Sequence, residues 1–128
     1  MFAEELVIIL PPLAKALQPN CGVATMGMQM AKGRIVSAQR KRTAEAVALE
    51  ECESLPWGKC SVHATFYFAT KRGRDVDNLI ASLKSTYDGL VDAGVVSDDT
   101  PEYMVRLMPE IEYDRKYPRI ELTIKRLA

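Results

Sequence analysis

Histidine, cysteine and tryptophan are scarce in this chain of 128 residues, which has one His, three Cys and one Trp. With only His63 available, there is no His/Cys set of the kind that holds zinc. Cys21, Cys52 and Cys60 are odd in number and lack C-x-x-C spacing, so a disulfide framework is not expected either. Reduced thiols and a cytoplasmic location follow as the default. Long apolar runs are missing too. Phe2 to Leu10 is apolar but holds Glu4 and Glu5, and nothing approaches the ~20 residues of a membrane helix. No basic-then-apolar leader precedes a cleavage site, so no membrane partner is expected. Net charge is also absent, since 17 basic residues balance 17 acidic ones, and the bulk composition does not mark a nucleic-acid binder.

What is present is an ordinary globular composition, 48% hydrophobic and 27% charged, in a chain long enough for one core without staples. One domain over residues 1–128 is expected, with no repeats or low-complexity tracts. Leu6 to Leu10 reads as a short strand stopped by Pro11-Pro12. Leu13 to Gly33 shows little periodicity. Gln18-Pro19-Asn20 and Cys21-Gly22 are turn signals there, and Met26, Met28 and Met30 suit gap-filling in a core or interface better than metal binding. Ser37 to Leu55, rich in Ala and Glu, predicts a helix with Ala44, Val47, Ala48, Cys52 and Leu55 on one face and Pro56 as its stop. Cys60 to Thr70 alternates, with Val62, Ala64, Phe66 and Phe68 opposite His63, Thr65 and Tyr67, and predicts the clearest strand. In mid-strand, His63 reads as structural.

A second helix is predicted from about Asp77 to Ala93, ended by Gly94 in the left-handed conformation. Tyr103 to Met108 reads as a strand, Pro109 to Pro118 as a polar connection, and Arg119 to Arg126 as a last strand with Ile120, Leu122 and Ile124 inward. The expected order is β-α-β-α-β-β, a two-layer α+β domain around a mixed sheet.

Charge is segregated along the chain. Arg40-Lys41-Arg42 and Lys71-Arg72-Gly73-Arg74 are basic, whereas Glu50-Glu51-Cys52-Glu53 and Asp98-Asp99 are acidic. Cations near the start of the first helix run against its macrodipole, which suits either an anion site or a solvated face. The second cluster leads directly into Asp75-Val76-Asp77. Two carboxylates two residues apart face one point only if the helix begins near Asp77 and Asp75 lies just outside it. Singly, Asp75 or Asp77 reads as a helix cap and Asp98 or Asp99 as a turn starter before Pro101. Gathered at one point they would need a cation, because two carboxylates about 4 Å apart repel by roughly 4 kcal/mol at an effective dielectric of 20. Oxygen donors without His or Cys select Mg²⁺, with Mn²⁺ also suitable, over zinc. An EF-hand fails because Leu79 and Ile80 stand where a third ligand and a Gly are required, and a D-x-D-x-T phosphotransferase motif fails because Leu79 replaces its Thr.

Asp75-Val76-Asp77-Asn78-Leu79, a Lys on the same helix, and Asp92-Ala93-Gly94 followed by Val95-Val96-Ser97-Asp98-Asp99 resemble the signature of the RusA family of Holliday-junction resolvases. The resemblance covers Arg74 to Asp99 best, and the last strand and the region before residue 60 less well. It implies a Mg²⁺-dependent endodeoxyribonuclease that resolves four-way DNA junctions as a homodimer in recombination and repair, in the cytoplasm of a bacterium or a phage-infected host, without a small-molecule cofactor. By position, the implied metal ligands are Asp75, Asp77 and Asp99, with Asp98 as the alternative third carboxylate. The essential Lys matches Lys84 counted back from Gly94, or falls on Ala81 counted forward from Asn78. Lys71, Arg72, Arg74, Arg40, Lys41 and Arg42 are the expected DNA contacts. Where the family carries P-N-x-R, this chain has Pro19-Asn20-Cys21-Gly22. Two further expectations stay open: a non-cleaving DNA-binding homologue of phage type, and a nuclease for flaps or other branched DNA.

Overall fold

The computed structural model describes residues 4–12 and 26–128, so the Pro19–Gly22 loop and the first residues lie outside the described part. The elements run β1 (Glu5–Leu10), α1 (Met26–Leu49), β2 (Cys60–Phe68), α2 (Val76–Ser82), α3 (Lys84–Asp92), β3 (Met104–Arg106), β4 (Glu110–Tyr113) and β5 (Arg119–Arg126). This is the expected α+β class around a mixed sheet. β2 is central, antiparallel to β5 along one side and parallel to β3 and then β4 along the other, and β1 closes the far edge against β5. Among the described residues no helix is long and apolar enough to cross a membrane.

The strand periodicity places the core as read from sequence. Leu6, Ile8 and Leu10 of β1, Val62, Ala64, Phe66 and Phe68 of β2, and Ile120, Leu122 and Ile124 of β5 are all buried on one sheet face. They form one cluster with Val47 of α1, Leu79 and Leu83 near the α2 end, and Tyr87 and Leu90 of α3. Among the described residues no helix covers the other face. Val7 and Ile9 of β1 are about half exposed there, and His63 stands on that face with its Nε2 3.7 Å from Glu110 Oε1.

Four expectations need correction. The first helix spans Met26–Leu49, not Ser37 to Leu55. It ends where Glu51 takes a left-handed φ of 50°, and Cys52 and Leu55 reach the core from the following loop rather than from the helix. Ala48, expected inward, is exposed, while Thr43 joins Val47 in the buried row. With the start moved to Met26, Arg40–Arg42 fall at mid-helix, which removes the helix-start geometry that would have aimed them at an anion.

The second helix is not continuous. Ser82 donates its hydroxyl to Leu79 O at 2.6 Å, the acceptor that the Leu83 N–H would otherwise use, and Leu83 bonds instead to Ile80 O at 3.1 Å. Gln39 of α1 donates to Ser82 O at 3.1 Å, occupying a second carbonyl of the ladder. Side chains that compete for ladder carbonyls break helices. Leu83 is therefore a joint between α2 and α3. The far end of α3 is as expected: Gly94 has φ 79°, with Gly94 N–H donating to Val91 O and Val95 N–H to Leu90 O, a Schellman closure.

The strand expected over Tyr103 to Met108 is only Met104–Arg106, and the expected polar connection contains β4. Glu110-Ile111-Glu112-Tyr113 alternates polar and apolar at every position, but over only four residues, the shortest run that signals a strand. Its pairing comes from β2, whose Thr65–Phe68 backbone meets Glu110–Tyr113 in parallel register. The order is thus β-α-β-α-α-β-β-β.

Candidate active site

The loop from β2 to α2 brings a basic run to the start of an acidic helix, and one residue holds that loop. The Arg74 guanidinium lies 3.6 Å from the Phe68 ring centroid and donates to Thr70 O and Arg72 O, both at 3.1 Å. Partial burial, helped by the nearby Arg72 charge, pulls its pKa below the ordinary guanidinium value. Arg74 thereby closes the turn that delivers Asp75. Asp75 sits in extended backbone as the N-cap of α2, and its Oδ1 accepts the Asp77 N–H at 2.9 Å. Such a cap stabilises a helix by about 0.5–2 kcal/mol. Asp77 occupies the first turn, and both carboxylates face solvent. The helix start near Asp77, with Asp75 just outside it, is as the sequence predicts.

Lys84 opens α3 directly after the Leu83 joint. Its Nζ donates to Asp88 Oδ1 at 3.0 Å and to Asp99 Oδ2 at 2.7 Å. The hydrogen bond from Lys84 holds the Asp99 carboxyl below the usual range despite opposing desolvation. The same bond, with that to Asp88, raises the Lys84 pKa, so the amine stays charged. Asp99 is also gripped by Arg106 at the end of β3. Arg106 donates to Asp99 O at 2.8 Å, approaches Asp99 Oδ2 to 3.2 Å and stacks 4.7 Å above the buried Tyr87 ring. Of the acidic pair, Asp99 is thus the residue that meets Lys84, whereas Asp98 turns its Oδ1 onto the Asp99 N–H at 2.7 Å.

The structure therefore brings Lys84, Asp88, Asp99 and Arg106 into one network and sets Asp75 and Asp77 at the start of the preceding short helix. Among the described residues, no three His, Cys, Asp or Glu side chains stand together as a metal-holding group. Asp75, Asp77 and Asp99 are hard oxygen donors of the type Mg²⁺ takes, and Asp99 is balanced by two cations rather than by neighbouring carboxylates. Ala81, the other register for the helical Lys, is exposed on α2.

The expected DNA-contacting cations divide into two groups. Lys71 and Arg72 are exposed on the loop before Asp75. Arg74 is committed to that loop's own carbonyls. Arg40 makes a two-point bond to Asp92, with Nη2 to Oδ1 at 2.8 Å, which ties α1 to the end of α3 and raises the Arg40 pKa while lowering that of Asp92. Lys41 reaches Glu45 only at 4.0 Å, and Arg42 lines a small cavity with Leu10, Pro11, Ile35 and Ile120.

Two participants were not among the site residues expected from sequence. Asp88 had a readable signal, because it lies four residues after Lys84 on the same helix and that spacing juxtaposes side chains. Arg106 had none, since its contact with Asp99 depends on where β3 enters the sheet. Cys60 is fully buried with its thiol pushed up to about 11 by desolvation, which makes it inert packing and not a nucleophile. Comparison of the chain with protein-family models and with curated proteins gives no match.

Proposed function

We propose that this protein is a divalent-metal-dependent endodeoxyribonuclease for branched DNA, resolving four-way junctions by paired phosphodiester hydrolysis in recombination and repair. The observation that carries the proposal is the Lys84–Asp99 pair, which stands at the joint following the Asp75/Asp77 helix start. Phosphodiester cleavage needs hard oxygen donors, a fixed cation for charge that develops in the transition state, and flanking cations for the DNA backbone. Asp75, Asp77 and Asp99 would hold Mg²⁺ or Mn²⁺, which when bound polarises a phosphodiester and lowers the pKa of a coordinated water.

The protein's own residues would do the rest. Lys84, kept protonated by two carboxylates, supplies positive charge to a non-bridging or leaving oxygen. Arg106, anchored on Tyr87, holds the Asp99 backbone and carboxylate in place when Lys84 turns toward a phosphate. Lys71 and Arg72 take phosphates on the approach to Asp75. The functional unit would be a homodimer, because a four-way junction offers two equivalent strands and paired cuts need two sites related by a two-fold axis. A cytoplasmic location accords with Cys52 and Cys60 being unpaired.

Non-cleaving DNA binding is the second reading, and one observation favours it: Asp99 is balanced by Lys84 and Arg106 instead of being gathered with Asp75 and Asp77. The test is cleavage of four-way junction, flap and linear duplex with Mg²⁺ or Mn²⁺, by the wild type and by Asp77→Asn. Metal-dependent cutting of the junction, abolished in the variant with its thermal midpoint unchanged, is expected. Preference for the flap moves the substrate to other branched DNA. Binding without cutting leaves the second reading, and full activity of Asp77→Asn ends the metal assignment.

A further inference from the structure

The two edges of the sheet are built differently. Along one, β3 and β4 are three and four residues long, are separated by Leu107-Met108-Pro109, and carry Glu110 and Glu112 exposed. Short, interrupted and charged strands of this kind resist pairing with another chain. Along the other edge, β1 runs uninterrupted for six residues, with its one charged residue, Glu5, at the start. Among the described residues nothing pairs with its outer side.

The hydrogen-bond phase of β1 fixes which groups that outer side presents. Glu4 O accepts the Arg126 N–H of β5 at 2.9 Å, so Glu4, Leu6, Ile8 and Leu10 turn their backbone groups toward β5. The alternate residues of an antiparallel pair point the other way, so Glu5, Val7 and Ile9 present N–H and C=O groups to the outer edge. The side chains of Val7 and Ile9 are also about half exposed, on the sheet face that no helix covers among the described residues. A regular apolar strand with an open ladder is a template for a further strand.

A second copy of β1 fits that template. Residues directly opposite in an antiparallel pair share a face, and a two-fold axis through Ile8 meets this condition with apolar residues opposed throughout. Val7 would exchange backbone bonds with the partner's Ile9, and Leu6 would lie opposite the partner's Leu10. An axis through Val7 would instead set Glu5 against the partner's Ile9. Charge agrees with the pairing. At the end of β1, the exposed Arg42 of α1 lines a cavity with Leu10 and Pro11. At its start, Cys52 and Ser54 both bond to Glu4, which places the exposed Glu51 and Glu53 near Glu5. Arg126 is spent on Glu4 and Lys125 stands opposite Glu5, so carboxylates are in excess there. Antiparallel apposition brings the positive end of each copy to the negative end of the other.

We propose that two copies of this chain join through β1, antiparallel about a two-fold axis at Ile8, into one continuous sheet. The pairing rests on the reading of the protein as a homodimer and supplies its interface. It keeps both helix layers on one side of the sheet and sets the two β2 strands five strand spacings, about 24 Å, apart. The Asp75/Asp77 helix starts, each following the end of a β2 strand, then lie toward opposite ends of the joined sheet.

The test combines sedimentation of the full-length protein with amide hydrogen exchange of the wild type. The wild type should be a dimer, and its Val7 and Ile9 N–H groups should exchange at least about tenfold more slowly in the dimer than after dilution to monomer. Ile9→Lys should weaken dimerisation about tenfold or more, whereas Leu107→Lys, on the opposite edge, should leave it within about twofold. Ile9 and Leu107 are both partly exposed, so thermal midpoints near wild type are expected, and the wild-type exchange needs no variant to fold. A dimer whose Val7 and Ile9 N–H groups exchange as freely as in the monomer, or which Ile9→Lys leaves intact, overturns the pairing while the homodimer reading stands. A wild type that is monomeric both alone and on a four-way junction overturns both.

Discussion

Gly89→Ala is the perturbation whose outcome the packing specifies most closely. Gly89 lies in α3 where that helix crosses α1, and a Cβ built there would come within 2.5 Å of Arg40 O and 2.7 Å of Thr43 Cβ. The first of these is backbone, so no side-chain rotation relieves it. Ordinary contact begins at 3.4 Å, so α1 and α3 would have to separate by about 1 Å. Overpacking of this kind costs about 1–3 kcal/mol. Against it stands the intrinsic preference of a helix for Ala over Gly, about 1 kcal/mol. The net expectation is a loss of about 1–2 kcal/mol, because the separation also loosens the Arg40–Asp92 bond on the next turn. Gly33, in α1, has none of the described residues within 4 Å of its would-be Cβ, so Gly33→Ala gains the propensity term without the clash. Urea denaturation followed by circular dichroism should show the Gly89→Ala midpoint lowered by roughly 0.5–1 M and the Gly33→Ala midpoint raised by up to about that amount. Equal shifts of the same sign in both variants would refute the close crossing of the two helices. The functional consequence is direct, since Lys84 rides on the helix that Gly89 seats. Gly89→Ala should therefore also lower turnover in any assay in which Lys84 matters.

Lys84→Ala should reduce turnover on a junction more than it reduces affinity, as expected for a charge that acts chiefly in the transition state. Rescue by adding Ala81→Lys would show that the helical Lys belongs one turn earlier, and a loss confined to affinity would make Lys84 a phosphate clamp. In acid, the Asp92 and Asp99 carboxyls are held below the ordinary 3.8 by Arg40 and Lys84, so their stabilisation is fully present above that value and is lost as pH falls through the lowered folded values. The urea midpoint should hold from pH 7 to about pH 5 and drop below about pH 4; Asp92→Asn should flatten the drop, and an unchanged acid limb would refute the Arg40–Asp92 account. Sedimentation of the free protein and of its junction complex should give a dimer, and a monomer in both states that still made paired cuts would remove the two-fold argument. Lys71→Ala and Arg72→Ala should each flatten the salt dependence of junction binding by about 0.9, and Arg74→Ala, whose guanidinium is held by Thr70 O and Arg72 O, by less.

Period-two alternation was enough to determine β2 and β5, with Val62, Ala64, Phe66, Phe68, Ile120, Leu122 and Ile124 all inward, because one face of each strand must leave water wherever the strand pairs. Local chemistry likewise determined Asp75 as the cap of a helix beginning beside Asp77, and Gly94 as the left-handed end of α3, since both depend on residues a few positions apart. What the tertiary structure decided involves partners far apart in the chain. Gln39 and the Ser82 hydroxyl together break the second helix at Leu83, and half of that cause lies in α1. β4 exists because β2 offers it an edge to pair with, since the Glu110–Tyr113 alternation is too short to hold a strand by itself. Arg40, expected as a DNA contact, is bonded to Asp92 by the helix crossing while staying exposed, and Arg106 reached Asp99 only because β3 docks beside β2. Periodicity and caps are set by neighbours in sequence, whereas ion pairs, edge pairing and helix breaks are set by whichever groups the packed core brings within about 3 Å of one another.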